Sequence, residues 1–415
     1  MQTPPPISER SLIAIVFAIQ FVNIVDFMMV MPLGADFARS LGIDAAHIGI
    51  IGGSYTIGAA VSAIISAFFL DRYDRRTAVF YAMAGLIVAT AACTLATNLV
   101  ELVTIRVITG IFAGPLTSLV IAMIIDVVPA ERRGQAMGMV ISAFSIAAVL
   151  GVPIGLELAH LGGWQIPFFV ISILSLCVAI ATLWILPPMR NHLIGIQANA
   201  KTNLFRFFTH TNALLAYSLT GLSMLGGFLI IPNISAYVQF NLHYPREELS
   251  LLYLAGGTVS FIAMQLAGRC ADRFGSFIVA FWASILLTLV MIVGFTLENI
   301  LLPVIVIFAG FMLAMSLRSV AIATVIARVP NSTERAGFMA VNAAVQHLAS
   351  AMGGMLSAMM LQSQATTGAL IGMWQVSLLS ILTTLCLPVL FWILENRLDN
   401  QSESSPRDEL LLNEG

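Results

Sequence analysis

Long apolar runs separated by short polar links follow one another along nearly the whole chain. A helix that crosses a bilayer needs about 20 apolar residues, and each run is long enough. Strands of a membrane barrel would instead give segments of about ten residues with alternating polarity, a pattern not seen in this sequence. The runs therefore predict an all-α membrane protein with twelve spanning helices, at about 11–33, 46–70, 77–97, 100–126, 134–158, 165–187, 212–240, 249–271, 277–297, 300–327, 337–361 and 368–394.

The composition points the same way. Hydrophobic residues make up 59% of the chain and charged residues 10%, whereas a soluble domain carries about 25% charged residues. The first run is too long for the apolar region of a cleaved signal peptide. The four cysteines lie in or at the ends of apolar runs without the spacing of metal ligands, so we expect buried small side chains at Cys93, Cys177, Cys270 and Cys386.

The basic residues predict the orientation. Cytoplasmic loops of membrane proteins carry an excess of Lys and Arg. If the N-terminus is cytoplasmic, only Arg39 and Arg246 fall on the outer side, and nearly all the other basic residues fall on the inner side. We therefore expect a multi-pass protein of the inner (plasma) membrane with both termini in the cytoplasm.

The chain also contains an internal repeat. Asp71 and Asp272 stand 201 positions apart in similar loops, and Pro129 and Pro330 repeat that offset. The offset spans six helices, so the two halves have the same orientation, and such repeats place a substrate site between them near the midplane. The predicted organisation is a bundle over 1–190, a linker over 191–211, a bundle over 212–395 and a disordered cytoplasmic tail over 396–415.

The repeated loops carry a resemblance to a known family. "AFFLDRYDRR" (67–76) and "GRCADRFG" (268–275) resemble the conserved loop of the major facilitator superfamily, whose twelve-helix drug–proton antiporter branch is the most similar. Ala67 and Asp74 stand where that loop has glycine, and glycine permits backbone angles that Asp tolerates less well.

The resemblance implies a cytoplasmic gate that holds the outward-facing state. Asp71 would then reach the positive N-terminal end of helix eleven, and Asp272 would reach that of helix five. Arginines of the loops would meet Glu131 or Glu334. The gate residues implied in this way are Asp71, Arg72, Arg75, Arg76, Asp272, Arg273, Glu131, Arg132, Glu334 and Arg335.

Helix five carries a second similarity. Ala143, Ala147, Gly151 and Gly155 repeat every four residues, a stripe that lets another helix pack closely, and Pro153 adds a kink. "LGVPIG" resembles the helix-five motif of the family's antiporters, which implies export. Close packing without a bearing on direction is the alternative.

Two opposite charges fall inside apolar runs at similar depth. Asp26 lies about seven residues from the outer end of helix one and Arg106 about six from that of helix four, so each is about 10 Å deep. An isolated charge there costs about 2.5–3.5 kcal/mol or more, and pairing offsets this cost. Gln20 and Asn23 share the face of Asp26. Arg106 also opens a stretch similar to the family's helix-four motif for proton coupling, so Asp26 is expected to carry protons; a fixed structural pair is the alternative.

The second half offers other polar groups for the central cavity. Arg318 has no carboxylate inside a helix of its own half, so it could meet Asp26, helix carbonyls or an anionic group of a substrate. His347, in a stretch similar to arabinose-efflux permeases, could relay protons or be a hydrogen-bonded core residue. Asn233 and Tyr237, one turn apart, are weaker candidates for the cavity.

These features predict a proton-coupled exporter of a small organic molecule (a drug, a sugar or an organic anion) that works by alternating access. An uptake symporter or uniporter of the same fold is the first alternative, and a non-transporting membrane sensor the second. No hydrolytic constellation occurs in the sequence, so an enzyme is not expected. The expected partners are the substrate, protons and the bilayer, for a monomer without cofactor, metal or nucleic acid.

Overall fold

The computed structural model describes residues 8–66, 70–129, 132–190, 210–297, 302–330, 335–364 and 366–412. Twelve long helices contain most of them, in the order of the predicted spans. They are α1 (Glu9–Met29, continued by Gly34–Leu41), α2 (Ile48–Ser66), α3 (Arg75–Cys93), α4 (Leu99–Val127), α5 (Arg133–Ile146, Ala147–Gly151 and Val152–Gly162), α6 (Gln165–Ile185), α7 (Thr211–Ile230, continued by Ile234–Phe240), α8 (Leu249–Phe274), α9 (Ser276–Met291 and Ile292–Thr296), α10 (Val304–Ala327), α11 (Arg335–Met360) and α12 (Met373–Leu412).

Within the described residues, eleven helical spans are long and apolar enough to cross a membrane. The helix outside this group is α11, which has 26 residues and is therefore long enough. It carries Asn342, Gln346 and His347 in its middle. The least apolar of the predicted spans, α11, thus carries amide and imidazole side chains in its middle turns.

Proline breaks two helices at equivalent points of the repeat. Between the two parts of α1 the chain turns through 30–33, which includes Pro32. In α7 a 3-10 turn, Ile231–Asn233, contains Pro232. Proline lacks the N–H that the helix needs and clashes with the preceding turn. The similar "FMMVMP" and "FLIIP" stretches therefore give both halves a broken first helix.

The two copies of the loop motif start the next helix by different means. Asp74 has a φ of −55°, and its side chain accepts a hydrogen bond from the Thr77 N–H at 3.3 Å, which caps α3. Arg190 Nε also donates to Asp74 Oδ2 at 3.0 Å. Gly275 ends α8 with a φ of +91°, a conformation that glycine adopts without steric cost. Asp74 thus needs no glycine-like backbone, because its copy of the loop has a side-chain cap instead.

The C-terminal segment corrects one prediction. Residues 396–412, which the polar composition predicted to be disordered, continue α12. The first turn of this extension is held by neighbours: Arg397 Nε donates to Asn212 Oδ1 at 3.1 Å, and Arg328 pairs with Asp399. A short hairpin, β1 (Gln362–Ser363) with β2 (Leu370–Ile371), precedes α12. Residues 191–209 of the predicted linker lie outside the described residues, and α7 begins at Thr211.

The N-terminal half (α1–α6) and the C-terminal half (α7–α12) pack together through two helix pairs, α2 with α11 and α5 with α8. Glycines let the backbones approach. A Cβ on Gly354 would lie 2.6 Å from the carbonyl oxygen of Gly49, and a Cβ on Gly257 would lie 2.7 Å from that of Ala148. Small residues at crossings between membrane helices allow such contacts. In the repeat, α2 is equivalent to α8 and α5 is equivalent to α11. The two crossings are therefore equivalent contacts.

We call the face with the repeated loops (70–75 and 268–275) the basic face, and the other end the opposite face. At the opposite face the halves are tied together. Arg246 Nε and Nη2 donate to the two oxygens of Asp36 at 3.0 and 2.9 Å, and Ser235 Oγ donates to the Pro32 carbonyl at 2.5 Å. Arg39 lies over the Phe240 ring, 5.2 Å from its centroid. This end of the molecule is closed.

At the basic face the described residues show fewer ties between the halves. Each ion pair found there among the described residues joins groups of one half, as in Arg132 with Glu9 and Arg328 with Glu395. Gly138 of α5 and Gly268 of α8 have no other atom within 4 Å of an added Cβ. Among the described residues, the polar ties between the halves are therefore concentrated toward the opposite face.

A substitution at Gly275 should show how much this loop depends on its backbone. Gly275→Ala places a Cβ on a residue with φ +91°, and we expect a loss of about 1–3 kcal/mol of stability, measured as a lower melting temperature in detergent. Gly268→Ala, in the same helix and facing open space, is the matched control and should keep or slightly raise the melting temperature. Equal effects of both substitutions would contradict this explanation.

Candidate functional site

Asp26 and Arg106 form an ion pair inside the N-terminal half, and both side chains are completely buried. Arg106 Nη1 donates to Asp26 Oδ2 at 3.0 Å, and Nη2 donates to the main-chain carbonyl of Asp26 at 3.3 Å. Asp26 lies on α1 and Arg106 on α4. Their contact agrees with the similar depths predicted from the sequence. One guanidinium thus holds both the side chain and the backbone of α1.

Three more side chains complete the surroundings of this pair. Thr90 Oγ1, from α3, donates to Asp26 Oδ1 at 3.0 Å, so each carboxylate oxygen has a donor. The Arg106 guanidinium carbon lies 4.7 Å from the ring centroid of Tyr55 and 5.9 Å from that of Phe168. A buried ion pair persists only when its remaining hydrogen-bonding capacity is satisfied, and aromatic faces attract a cation. Five helices therefore contribute to one buried charge pair.

The arrangement can respond to a proton. A proton on Asp26 Oδ2 would replace the hydrogen bond from Arg106 Nη1, while Nη2 could keep its bond to the main-chain carbonyl. The Thr90 hydroxyl could remain on the other oxygen. Protonation would thus remove a charge and free one N–H of Arg106 without detaching Arg106 from α1.

The polar face predicted on α1 is present. Asn23 is buried, and its Oδ1 accepts a hydrogen bond from the Tyr55 hydroxyl at 3.1 Å. Gln20 is half-buried, and its Oε1 has no hydrogen-bond partner within the described part of the chain. Asn23 therefore links α1 to α2 beside the ion pair, and Gln20 retains a free acceptor one turn closer to the basic face.

Arg318 is the buried cation of the C-terminal half, with 1% of its surface exposed. Its Nη1 donates to Thr384 Oγ1 at 3.1 Å, and its Nη2 donates to the Ser223 carbonyl at 3.3 Å and contacts Met315 Sδ at 3.1 Å. Its Nε has no partner among the residues that the structure describes. Of the three partners that the sequence left open, a helix carbonyl (that of Ser223) is the one that Arg318 meets here, and Asp26 is not among its partners; the Thr384 hydroxyl was not anticipated.

His347 lies half-buried on α11, and none of the hydrogen bonds among the described residues involves it. One turn earlier, Asn342 is buried and its Oδ1 accepts a hydrogen bond from Thr220 Oγ1 at 2.8 Å. No described residue therefore provides the hydrogen-bond partner that His347 would need as a hydrogen-bonded core residue in this conformation. Its role in proton transfer stays a prediction.

Asn233 and Tyr237 are both buried in this conformation. Asn233 is fully buried, and its Nδ2 donates to the Leu229 carbonyl at 3.2 Å and to Ser357 Oγ at 2.6 Å. Tyr237 packs its ring against Phe295, with centroids 5.4 Å apart. The break at Pro232 places both residues in the closed end of the molecule, which periodicity along an unbroken helix could not anticipate.

Three of the predicted gate residues interact within their own half. Arg75 Nε donates to Asp126 Oδ2 at 3.3 Å, Arg132 pairs with Glu9 at 3.0 Å, and Arg76 donates to a main-chain carbonyl of α6.

The rest of the predicted gate is exposed or outside the described part. Arg72, Asp272 and Arg273 are exposed. The side chains of Asp71 and Arg335, and the whole of Glu131 and Glu334, lie outside what the structure describes. A gate formed by these residues, which would require a closed basic face, stays a prediction.

The helix-five motif packs against α1. A Cβ on Gly151 would lie 2.7 Å from Val25 Cγ2, and one on Gly155 would collide with Met29 Cε. Pro153 lies two residues after the end of a π-helical turn, Ala147–Gly151, and such turns bend helices. The small-residue stripe thus packs α5 against α1 at Val25, the residue directly before Asp26.

Sequence reasoning missed three contributors. Thr90 and Tyr55 are uncharged residues in apolar runs and carried no signal of their own. The Asp36–Arg246 pair closes the opposite face from positions 210 residues apart. A signal for it existed, because Arg246 was one of only two basic residues predicted on that side.

Comparison with known proteins places these features in a family. The family model described as Major Facilitator Superfamily matches residues 16–222 and again 216–412. The two matches correspond to the two halves seen in the structure. The family match thus covers nearly the whole chain.

Relatives by sequence are transporters. The putative transporter AraJ of Escherichia coli (strain K12) is 21% identical over 269 residues, which is 64% of this chain and 66% of AraJ. The purine ribonucleoside efflux pump NepI of Shigella sonnei (strain Ss046) is 25% identical over 264 residues, which is 63% of this chain and 64% of NepI. The chain therefore aligns with slightly less than two thirds of the length of each of these relatives.

Solved structures share the fold. A bacterial homolog of the human lysosomal transporter Spinster, in an inward-facing and unoccupied conformation, matches with a TM-score of 0.74 at 15% identity over 94% of this chain and 98% of that one. A D-xylose-proton symporter matches with a TM-score of 0.72 at 17% identity over 91% and 97%. At these identities the likeness concerns the fold.

The ion pair should dominate the stability of the N-terminal half. Arg106→Met leaves the buried Asp26 without its cation, and Asp26→Asn leaves Arg106 without its anion, so each should destabilise by about 3–5 kcal/mol, measured by unfolding in detergent. The double substitution removes both charges and should cost clearly less than the sum of the two single ones. Strictly additive losses would show that the two groups do not act as a pair.

Proposed function

Because the chain belongs to the Major Facilitator Superfamily, it is a multi-pass membrane transporter rather than an enzyme, and we propose that it exports a small organic molecule in exchange for protons. The observation that carries the proposal is the buried Asp26–Arg106 pair with Thr90 on the second carboxylate oxygen. Ionisable groups inside membrane helices are costly and usually functional. A carboxylate that exchanges an arginine N–H for a proton is a physical basis for proton coupling.

The proposed orientation follows from the arginines. Exposed basic residues such as Arg72, Arg190 and Arg273 cluster on the basic face, and positive loops favour the cytoplasm. With this orientation both termini are cytoplasmic, in the inner membrane, and the polar ties between the halves lie toward the outer side. The single chain contains both halves of the site, so we expect a monomer to be sufficient.

Alternating access then requires the two faces to exchange roles. The Asp36–Arg246 pair and the Gly49–Gly354 crossing would separate at the opposite face. At the basic face, Asp71 and Asp272 would approach the N-terminal ends of α11 and α5 in the other half, where the helix dipole favours a carboxylate. Protonation of Asp26 is proposed to accompany one of these steps.

The direction of transport is proposed from two supports. The helix-five motif, similar to that of antiporters, packs directly on the helix of Asp26, and NepI is named an efflux pump. Uptake is the rival, since a D-xylose-proton symporter has the same fold. A non-transporting sensor is less well supported, because a sensor has no need for charges buried beside a cavity.

The substrate is proposed to carry a carboxylate or another anionic group. Arg318 is buried, contacts neutral acceptors and keeps one N–H without a partner among the described residues. Asp26 and Arg106 neutralise each other, so Arg318 leaves one uncompensated positive charge in the described interior of the helices. An anion would offset that charge; a neutral sugar or nucleoside is the alternative.

Proton coupling can be tested in proteoliposomes with an imposed pH gradient. A panel of metabolites and drugs identifies a transported compound, and Asp26→Asn is then compared with the unmodified protein. We expect Asp26→Asn to reduce proton-driven accumulation to the level of empty liposomes while exchange of labelled for unlabelled compound continues.

Glu101→Gln is the matched control, because Glu101 is an exposed carboxylate at the end of α4, the helix that carries Arg106. It should transport at the normal rate. Normal proton-driven flux through Asp26→Asn would overturn the assignment of Asp26. Accumulation in the opposite sense in vesicles of known orientation would establish the uptake rival.

The charge of the substrate can be tested at Arg318. A charge-assisted hydrogen bond contributes about 1.5–3 kcal/mol, so Arg318→Gln should weaken binding of an anionic substrate about tenfold to a hundredfold. Arg318→Lys keeps the charge and should lose less. Binding measured by competition should remain unchanged for uncharged analogues. Equal losses for charged and uncharged compounds would contradict an anionic substrate.

A further inference from the structure

Three aromatic side chains form a buried cluster within the N-terminal half. Trp164 and Phe168 come from the start of α6, and Phe37 comes from the outer part of α1, beyond the break in that helix. Phe37 and Phe168 have 0% of their surface exposed, and Trp164 has 1%. We call these three residues the aromatic triangle.

The three rings of the triangle contact one another. Phe37 meets Trp164 edge-on with centroids 5.2 Å apart, and Trp164 meets Phe168 edge-on at 6.1 Å. Phe37 and Phe168 stack at 6.3 Å with an interplanar angle of 26°. Edge-on and offset arrangements are favourable for aromatic pairs. A displacement of Phe37 therefore changes the packing of both α6 rings, because a closely packed interior has no voids to absorb it.

Hydrogen bonds do not fix the side chains of the triangle within the described part of the chain. The one polar side-chain atom of the three residues, Trp164 Nε1, is buried and has no hydrogen-bond partner there. The triangle is thus held by packing and by ring contacts. It can rearrange without breaking a hydrogen bond of its side chains.

One corner of the triangle touches the buried ion pair. The ring centroid of Phe168 lies 5.9 Å from the guanidinium carbon of Arg106, and an aromatic face attracts a cation at this range. Arg106 Nε has no hydrogen-bond partner among the described residues. The position of the guanidinium therefore depends on its ring neighbours as well as on Asp26.

Another corner adjoins the contact that ties the halves together. Phe37 directly follows Asp36, whose two carboxylate oxygens accept hydrogen bonds from Arg246 of the C-terminal half at 3.0 and 2.9 Å. We call Asp36–Arg246 the opposite-face pair. Asp36 and Phe37 lie in the same short helical segment, Gly34–Leu41. Loss of the opposite-face pair would therefore release the segment that carries Phe37.

We propose that the aromatic triangle positions Arg106 according to the state of the opposite face, so that Asp26 accepts a proton more readily when that face is open. The inference rests on the proposed proton-coupled export and adds three positioning residues to it. The proton binds Asp26 Oδ2 and displaces the hydrogen bond from Arg106 Nη1, while the arginine keeps its charge.

The sense of the coupling follows from the contacts. With the opposite-face pair intact, Phe37 packs on Phe168, and Phe168 helps to hold Arg106 on Asp26 against an incoming proton. When that pair opens, Phe37 is released and the ring support of Arg106 weakens. By linkage, a proton on Asp26 favours the open face by the same factor. An exporter driven by entering protons needs this sense, because the proton arrives from the outer solution.

The titratable and charged groups at each end of the coupling can be separated. Asp26 is faced by Arg106 of α4, Tyr55 of α2 and Cys93 of α3, while α6 contributes the uncharged ring of Phe168. Asp26→Asn removes the proton site and leaves the opposite face unchanged, so a pH response that is lost in Asp26→Asn belongs to Asp26. The charged or titratable side chains on the elements around the opposite-face pair are Arg39, Glu157, His160, Glu247 and Glu248.

Opening of the opposite face can be measured as a distance between two spin labels in proteoliposomes. One label is placed at Leu95, an exposed residue of the α3–α4 link, and the other at Gln362, an exposed residue of β1 in the other half. We expect a longer distance to gain population as the pH falls, and this response to be lost in Asp26→Asn. The labelled protein keeps the buried Cys93 and carries serine at Cys177, Cys270 and Cys386.

Substitutions in the triangle should reduce this response. Phe168→Leu removes the ring beside Arg106, and the pH-driven change in the ratio of open to closed protein should fall about twofold to thirtyfold, the range of a cation–π contact. Phe37→Leu should act in the same direction through Phe168. The double substitution should cost no more than the larger single one, because both interrupt one coupling.

Phe169→Leu is the matched control, since Phe169 is the next residue of α6 and is 53% exposed. It should leave the pH response unchanged. A purely structural role of the triangle would lower the melting temperature of Phe37→Leu and Phe168→Leu without altering their pH response. That result, an equal loss in Phe169→Leu, or fully additive losses at 37 and 168 would overturn the coupling.

The outcomes separate the coupling from the function on which it rests. If the unmodified protein opens with falling pH and both triangle variants open equally, the coupling is wrong and proton-driven export stands. If the unmodified protein shows no opening at any pH, the proposed function fails, and the coupling fails with it.

Discussion

The structure depends on keeping two charges inside a hydrocarbon-facing bundle. Several kcal/mol are needed to remove each ion from water, and attraction repays this only if every remaining polar atom is well placed. For this pair, Thr90 occupies the second carboxylate oxygen of Asp26 and the α1 backbone accepts the second N–H of Arg106, while Arg106 Nε has no hydrogen-bond partner among the described residues. The pair thereby fixes α1, α3 and α4 relative to one another. A half that is held in this way can move as one body, as the proposed alternating access requires.

The duplicated halves share a frame but differ in chemistry. At the repeat position of Asp26 the C-terminal half has Gly227, and at that of Arg106 it has Ile307. Its own cation, Arg318, lies deeper in its helix and contacts a hydroxyl, a carbonyl and a thioether rather than a carboxylate. Only the N-terminal half can therefore exchange a proton for an ion pair at this depth. The C-terminal half retains a positive charge that a bound anion could neutralise.

The sequence predicted the features that depend on a single helix, such as the depth of a residue in the membrane. The rise of a helix is constant, so residue counts alone are enough to compare the depths of Asp26 and Arg106. Contacts between helices depend on rotation and on breaks. The turn at Pro232 moved Asn233 and Tyr237 into the closed end, and Thr90 was indistinguishable from other small residues of an apolar run. The Asp74 loop shows a third limit, because a side-chain cap replaced the glycine geometry that the family motif suggests.

The closed opposite face is held by several separate contacts between the halves, which suits a reversible change of conformation. The Asp36–Arg246 pair is bidentate, and the side chains of Arg246 and Asp36 are only 12% and 17% exposed, so it is stronger than an ordinary exposed surface pair, which contributes about 0–1 kcal/mol. This pair acts together with the Ser235–Pro32 hydrogen bond and the Arg39–Phe240 contact at the same face. Backbone packing at Gly49–Gly354 and Gly257–Ala148 adds further contacts between the halves. Packing of this kind involves no buried charge, so it can be lost at one face and regained at the other, while Asp26 and Arg106 both remain within the N-terminal half.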